Sequence, residues 1–209
     1  MTPALVIFDC DGVLVDSEAI TTAAIVDAMA AEGLTWTAAR VLDAFRGGQL
    51  DDVCRTAERE LGRPLQADFI ETFRADLFER LRTKIQPIPG VEAALDEITI
   101  PICVASNGPR AKMEATLGTT GLMQRFEGHI FSAYEVNSFK PEPGLFLHAA
   151  AAMGAEPARC VVVEDSDTGV RAAVAAGMRV LAYTGHGFEM HAEGAEPFDD
   201  MRMLPRLIG

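Results

Sequence analysis

The sequence predicts an α/β fold: an open parallel sheet with helices on both faces, and a small helical domain inserted into it. Two observations lead to this fold class. Short apolar, often β-branched runs alternate with longer segments of helical periodicity over most of the 209 residues, as expected for parallel strands covered by helices. One interval of about 70 residues breaks this alternation, because it has helical periodicity and no convincing strand.

The strands of the sheet are predicted from near-continuous apolar runs, which are typical of parallel strands buried on both faces. These runs occupy 4–9, 101–106, 129–133, 160–165 and 179–184. Helices are predicted between them at 90–98, 109–118, 143–154 and 168–178, and residues 198–209 suggest a last short strand and helix. This order is that of a doubly wound, Rossmann-like sheet.

The inserted helical domain is predicted to cover residues 17–87, which leaves residues 1–16 and 88–209 for the Rossmann-like core. Inside the insert, Phe69, Phe73, Leu77 and Leu81 recur at a spacing of four, which indicates one buried face of a helix. The segment 86–90 contains two prolines and a glycine, and these residues rule out a continuous helix there. The two points where the chain enters and leaves the insert are candidate hinges.

Composition and charge exclude several classes of function. The net charge of −13 without a basic patch argues against nucleic-acid binding. No apolar run approaches the length of a membrane span, and the N-terminal apolar run is too short for a signal peptide. The four cysteines lack metal-binding spacing, so a reduced, cytoplasmic setting is expected. The oligomeric state is left open.

Polar side chains stand where the predicted strands end. In an open parallel sheet, ligands bind beyond the carboxyl ends of the strands, so these side chains are expected to converge on one edge. They are Asp9 and Asp11 after the first strand, Ser106 and Asn107 after the second, Lys140 on the loop after the third, and Glu164 and Asp165 after the fourth.

This set of side chains predicts a metal site that handles phosphate. Crowded carboxylates repel one another unless a cation shares them. Only oxygen ligands are present, which favours a hard ion, and Mg²⁺ suits a site with few carboxylates and a phosphate oxygen. Ser106, Asn107 and Lys140 are then candidate phosphate-binding residues, Lys140 as a point charge and the other two as hydrogen-bond donors.

The pair of aspartates after the first strand predicts the chemistry. Asp9 can attack a phosphoryl group held by Mg²⁺ and Lys140, which would give an aspartyl-phosphate. Gly12 permits a turn directly after the strand that brings Asp9 and Asp11 to one site. Asp11 can then protonate the leaving oxygen and afterwards activate water.

Four segments in this order, "DCDGVLVDSE", "VASNG", "KPEP" and "VVVEDSDTGV", resemble the signature motifs of the haloacid dehalogenase superfamily of phosphatases and phosphomutases. The resemblance covers essentially the whole chain, and residues 17–87 resemble the small helical cap of that superfamily. It implies a Mg²⁺-dependent phosphoric monoester hydrolase that acts on a small phosphorylated metabolite, with the cap closing over the substrate.

Carried over to these positions, the resemblance implies Asp9 as nucleophile and Mg²⁺ ligand, and Asp11 as acid/base that also offers its backbone carbonyl to the metal. It implies Ser106 on the phosphate and Lys140 on both nucleophile and phosphate. Asp165 would bind the metal, and Glu164 would either bind it or orient the site, because adjacent strand residues face opposite ways.

Further segments, including "VASNGPRAKMEATLG" and "FSAYEV", resemble the bacterial 6-phosphogluconate phosphatases of the β-phosphoglucomutase-like branch. The resemblance implies a small sugar or sugar-acid phosphate as substrate. Mutases of this branch carry a histidine at about Thr21 and a basic residue near Gln49 or Leu50, and both are absent here. Arg46 is the candidate for contact with the far end of the substrate.

Two alternatives to the phosphatase stay open. A β-phosphoglucomutase-type isomerase would form the same intermediate and return the phosphoryl group to the sugar, but the absent histidine near Thr21 counts against it. A non-catalytic phosphate-binding module on the same fold would be expected to have lost at least one of Asp9, Asp11, Lys140 and Asp165, and all four are present.

Overall fold

The computed structural model describes residues 3–45, 49–187 and 190–209. The chain divides into two compact units. Residues 1–16 and 86–209 form an α/β unit, and Ser17–Ile85 form a helical unit. None of the helices in the described part of the chain has the length and apolarity that crossing a bilayer requires.

The α/β unit is built on one six-stranded sheet. Its strands are β1 (Leu5–Phe8), β2 (Ile102–Ser106), β3 (Ile130–Ser132), β4 (Cys160–Glu164), β5 (Arg179–Tyr183) and β6 (Ala195–Phe198). Every pairing is parallel, and the order across the sheet is β3-β2-β1-β4-β5-β6. The order reverses between β1 and β4, which is the switch point where ligands bind in such sheets. The predicted Rossmann-like α/β fold is confirmed.

The apolar sequences of β1 and β4 account for the burial of these two central strands. All residues of β1 and β4 are buried, as is typical of parallel strands covered on both faces. Each of these two strands ends one residue earlier than the sequence predicts. Asp9 and Asp165 therefore begin the following loops, which frees their side chains from the alternation of the strand.

Helices of the α/β unit precede or connect the strands, and the last one follows β6. They are α5 (Val91–Glu97), α6 (Arg110–Thr119), α7 (Ala133–Val136), α8 (Gly144–Ala152), α9 (Asp167–Ala175) and α10 (Leu204–Ile208). One apolar core includes β1, β2, β4 and β5 residues together with Leu145 and Phe146 of α8 and Val170 of α9. This packing fixes the strand ends that carry the predicted site.

Within the α/β unit, the two segments that flank the helical insert lie side by side. The backbone N–H of Asp16 donates to the carbonyl of Gln86 over 2.9 Å, and that of Ile88 donates to the carbonyl of Leu14 over 3.0 Å. These hydrogen bonds hold the entry and exit points of the insert together at the sheet side.

The helical unit contains α1 (Glu18–Glu32), α2 (Ala38–Phe45), α3 (Leu50–Leu61) and α4 (Phe69–Lys84). The four residues predicted to form one face of α4, at spacing four, are all buried. Trp36 stacks on Phe45 with ring centroids 5.4 Å apart, and its indole N–H donates to Glu60 over 3.0 Å. Arg46 lies outside the described residues.

Candidate active site

Asp9 is fixed at the switch point by its own backbone. Its N–H donates to the carbonyl of Val163 over 2.9 Å, which continues the β1–β4 pairing by one step. The residue is buried at 7% relative exposure, so its carboxylate faces little water. Burial raises the pKa of the Asp9 carboxyl to about 7, although the Lys140 ammonium opposes the shift.

The turn after Asp9 depends on Gly12. Its φ of +78° lies in the left-handed region, and a Cβ there would come within 2.2 Å of Asp165 Oδ2. The backbone N–H groups of Leu14 and Val15 close the turn on the carbonyl of Cys10. Only glycine can both turn the chain here and let it approach Asp165, as the sequence predicts for a turn at this position.

Lys140 joins two carboxylates in the interior. Its ammonium Nζ donates to Asp9 Oδ1 and to Glu164 Oε1, each over 2.6 Å, and it lies 4.8 Å from the centroid of the Phe146 ring. Burial alone would lower the pKa of Lys140, but the two carboxylates outweigh that effect and raise it. The lysine is therefore charged, and it holds Asp9 in one orientation.

Glu164 has partners for both of its oxygens. Oε1 accepts from Lys140, while Oε2 accepts from the backbone N–H groups of Asp165 and Ser166 and from the Ser166 hydroxyl, at 2.9–3.0 Å. These bonds shape the turn that presents Asp165. Glu164 thus connects the buried lysine to the loop after β4.

Three of the predicted ligands form one oxygen cluster. The carboxylates of Asp9, Glu164 and Asp165 each offer an oxygen within 4.8 Å of the others, in the part of the chain that the structure describes. Against their negative charges, Lys140 supplies one positive charge among them. The donor chemistry and the remaining negative charge fit a small, hard divalent cation. The carboxylate of Asp11 lies outside this cluster.

The two predicted phosphate-binding residues at the end of β2, Ser106 and Asn107, make different contacts. Ser106 is buried, and its hydroxyl accepts from the backbone N–H of Gly108 over 3.1 Å. Asn107 bonds the backbone of Lys140 twice: its Oδ1 accepts from the Lys140 N–H over 2.8 Å, and its Nδ2 donates to the Lys140 carbonyl over 3.3 Å. The amide group of Asn107 therefore holds the lysine loop.

The comparison with known families agrees with this geometry. A family model described as haloacid dehalogenase-like hydrolase matches residues 3–177. The chain belongs to the haloacid dehalogenase-like hydrolases. The match includes all seven predicted site residues and the helical unit, so the family assignment covers the whole site.

Curated and solved relatives of this hydrolase cover nearly its full length. It is 34% identical over 205 residues to the 6-phosphogluconate phosphatase of Escherichia coli strain K12. The aligned region covers 97% of this chain and 93% of the relative. A conserved haloacid dehalogenase-like protein of unknown function from Agrobacterium tumefaciens str. C58 is 37% identical, with a TM-score of 0.84 and coverage of 98% and 97%.

A third similarity concerns the fold alone. The structure of a putative β-phosphoglucomutase from Thermotoga maritima matches with a TM-score of 0.77 at 21% identity, covering 98% of this chain and 97% of that one. The predicted resemblance to the haloacid dehalogenase superfamily and to bacterial 6-phosphogluconate phosphatase is confirmed, and the β-phosphoglucomutase-like structure shares the fold. The enzyme class is confirmed as well: the hydrolase is a phosphoric monoester hydrolase.

Two residues of the site region carried no predicted role. Lys112 of α6 places its Nζ 2.9 Å from both carboxylate oxygens of Asp11. His186, on the loop after β5, has its Nε2 2.5 Å from the carbonyl oxygen of Gly12. A signal for Lys112 exists in the sequence, since a lysine in the first turn of a helix opposes the helix dipole and calls for another explanation. His186 has no comparable signal.

Proposed function

We propose that this hydrolase is a Mg²⁺-dependent phosphatase that hydrolyses a small phosphorylated sugar or sugar acid, of the 6-phosphogluconate kind, through an aspartyl-phosphate. The observation that carries the proposal is the buried Asp9–Lys140–Glu164 arrangement beside Asp165. It combines a fixed carboxylate nucleophile with a charged lysine and an oxygen cluster suited to Mg²⁺.

In the first half of the proposed reaction, Asp9 Oδ attacks the phosphorus and the bond to the sugar oxygen breaks. Asp11 in its acid form gives its proton to that oxygen, so a neutral alcohol leaves. Lys140 holds Asp9 in place and adds positive charge beside the oxygens that become more negative in the transition state.

In the second half, water attacks the phosphorus of the aspartyl-phosphate. Asp11, now a carboxylate, takes a proton from that water, and the bond between phosphorus and Asp9 breaks. Inorganic phosphate leaves and both aspartates return to their starting forms. Ser106, buried at the end of β2, is assigned to the phosphate oxygens.

Asp9 and Asp165 are the proposed side-chain ligands of Mg²⁺, with the backbone carbonyl of Asp11. Glu164 is assigned an orienting role, because its oxygens already accept from Lys140 and from the turn after β4. Bound Mg²⁺ would supply charge neutralisation and orientation of the phosphoryl group. The helical insert, predicted at 17–87, is proposed as the cap that sets substrate choice.

The substrate class rests on the relative named 6-phosphogluconate phosphatase, which is similar over almost the full chain. The test is a panel of phosphate esters with Mg²⁺, including 6-phosphogluconate, hexose phosphates and hexitol phosphates, with release of inorganic phosphate as the measurement. We expect a sugar acid or sugar phosphate to have the highest kcat/KM. Absence of phosphate release from every member would favour the non-catalytic phosphate-binding module instead.

The Asp9→Asn variant tests the nucleophile. The amide keeps the size of the side chain and cannot form the acyl phosphate, so we expect turnover to fall at least about a thousandfold. Asp96→Asn is the matched control, since Asp96 is an exposed carboxylate of the same unit that pairs with Arg125. Circular dichroism should show both variants folded. Normal turnover by a folded Asp9→Asn variant would remove Asp9 as nucleophile.

The isomerase alternative has a separate test. β-Glucose 1-phosphate is incubated with the enzyme, and glucose 6-phosphate and free phosphate are measured in the same samples. A phosphatase gives free phosphate, whereas a phosphoglucomutase-type enzyme gives glucose 6-phosphate. The dominance of glucose 6-phosphate would overturn hydrolysis as the main reaction.

A further inference from the structure

Lys112 and Asp11 form an ion pair beside the candidate site. The Nζ atom of Lys112 is 2.9 Å from each of the two carboxylate oxygens of Asp11. The side chains are 14% and 29% exposed, so the pair is largely removed from water. A pair with two short contacts and partial burial is held in one geometry far better than an exposed ion pair.

Helix stability does not account for Lys112. It is the third residue of α6, and a cation in the first turn is unfavourable by about 0.3–1 kcal/mol because it faces the positive end of the helix dipole. Ordering a long lysine side chain also costs conformational entropy. Its ammonium nevertheless reaches away from α6 to the loop after β1.

The loop that carries Asp11 explains why a partner is useful. Asp11 precedes Gly12 in a tight turn, and the side chain extends from that turn rather than from a strand. A carboxylate on a turn has several rotamers, and proton transfer requires one of them. The Lys112 ammonium contacts both oxygens and therefore restricts the carboxylate to a single orientation.

We propose that Lys112 is a positioning residue for the acid/base Asp11, and that it acts chiefly in the hydrolysis of the aspartyl-phosphate. The inference rests on the proposed function. In that second half Asp11 is a carboxylate, the form that an ammonium partner holds most firmly. Loss of the Lys112 ammonium leaves Asp9, Lys140 and the attack on phosphorus unchanged. It slows the step in which Asp11 takes a proton from water.

The test uses a substrate that leaves without a proton. p-Nitrophenolate is a stable anion at neutral pH, so formation of the aspartyl-phosphate from p-nitrophenyl phosphate needs no acid. Hydrolysis of the intermediate still needs Asp11 as base. A variant defective only in Asp11 should therefore release one p-nitrophenol per active site rapidly and then turn over slowly. Stopped-flow absorbance with Mg²⁺ present measures both phases.

For Lys112→Met we expect this pattern: a burst close to one per active site, at a rate within about threefold of the wild type, and a steady-state rate about ten- to a hundredfold lower. With a sugar phosphate kcat should fall as well, because the same intermediate has to be hydrolysed. For p-nitrophenyl phosphate, KM should fall together with the steady-state rate, because the aspartyl-phosphate accumulates, whereas inhibition by inorganic phosphate should stay within about threefold of the wild type. Lys112→Arg, which keeps a cation and two donors, should restore part of the steady-state rate.

Two comparisons separate positioning from a merely structural effect. Arg110→Met is the matched control, because Arg110 also lies in the first turn of α6 but pairs with Glu135 and donates to the Ile130 carbonyl. It should change neither phase. The double variant Asp11→Asn, Lys112→Met should be no slower than Asp11→Asn alone, since two residues that act as a unit are not additive.

The result that would overturn the inference is an equal loss of burst and steady-state rates in Lys112→Met, or the same loss in Arg110→Met. Weaker inhibition by inorganic phosphate together with a raised KM would overturn it too, because Lys112 would then bind the phosphoryl group. Failure of the wild-type enzyme to hydrolyse any phosphate ester would overturn the proposed function and this inference with it. That result is distinguishable from the others, because they are measured on variants of an active enzyme.

Discussion

At the scale of single residues, Gly169 shows how closely the site is packed. It lies in the first turn of α9, and a Cβ built on it would be 1.9 Å from the Cδ and Oε1 atoms of Glu164. Glu164 holds Lys140 and the turn of Asp165. A side chain at position 169 therefore displaces a carboxylate on which two proposed site residues depend.

We predict that Gly169→Ala destabilises the enzyme and lowers kcat by at least about tenfold, although alanine in a helix is normally favoured over glycine by about 1 kcal/mol. Gly118→Ala is the control. Gly118 lies in α6, and a Cβ added there would have nothing within 4 Å, so the variant should be equally or more stable. Urea unfolding and phosphate release measure the two effects. An active, stabilised Gly169→Ala enzyme would contradict the packing argument.

The residue scale also shows what the sequence could reveal. Asp9, Lys140 and Asp165 were predictable, because each follows a recognisable buried strand or its loop and carboxyl ends of parallel strands meet at one edge. The contacts of Asn107 were not predictable. Its partner is the backbone of Lys140, and no sequence periodicity specifies the conformation of that loop. The 2.5 Å contact between His186 and Gly12 was not predictable either, because it joins residues 174 positions apart.

At the scale of elements, the loop between α7 and α8 positions the lysine of the site. Asn107, at the end of β2, bonds both the N–H and the carbonyl of Lys140. Ser132 of β3 donates to the carbonyl of Gly108, so the neighbouring β2 and β3 ends are joined as well. The sheet thus supports the loop through side chains that bond to backbone groups.

We predict that Asn107→Ala lowers kcat by about ten- to a hundredfold, because displacement of Lys140 by about 1 Å misaligns the attack of Asp9. The loss of two hydrogen bonds should also destabilise the enzyme by about 1–2 kcal/mol. The burst of p-nitrophenol should itself slow, unlike that of Lys112→Met. Glu142→Gln, a change at an exposed residue of the same loop, is the control and should have no effect. A burst at the wild-type rate in Asn107→Ala would show that the loop does not need this support.

Elements differed in how well the sequence predicted them. The five strands with continuous apolar runs were predicted to within a residue or two, because burial on both faces leaves a strong signal. β6 (Ala195–Phe198) begins before the segment at 198–209 where a last strand was expected. Glu196 and Pro197 are exposed in it, so this edge strand has too little apolar character to stand out.

At the scale of the whole molecule, the negative charge of the carboxylates connects folding stability with binding of the proposed Mg²⁺. The net charge is −13, and three carboxylates stand within 4.8 Å of one another with one lysine between two of them. Their mutual repulsion opposes folding, and a divalent cation that binds only the folded cluster removes it. Stability of the molecule should therefore depend on Mg²⁺, and chelation should lower both stability and activity.

We predict that saturating Mg²⁺, at about 100 times its Kd, stabilises the wild type by about 2.7 kcal/mol, or about 5–10 °C in Tm for a chain of this size. Asp165→Asn should remove most of that shift. Asp167→Asn is the matched control, because it removes one charge two positions away while its amide oxygen can still accept from the backbone of His191 and Ala192. It should keep the Mg²⁺-dependent shift. Calorimetry with and without Mg²⁺ compares the three proteins, and an unchanged shift in Asp165→Asn would remove Asp165 from the proposed metal ligands.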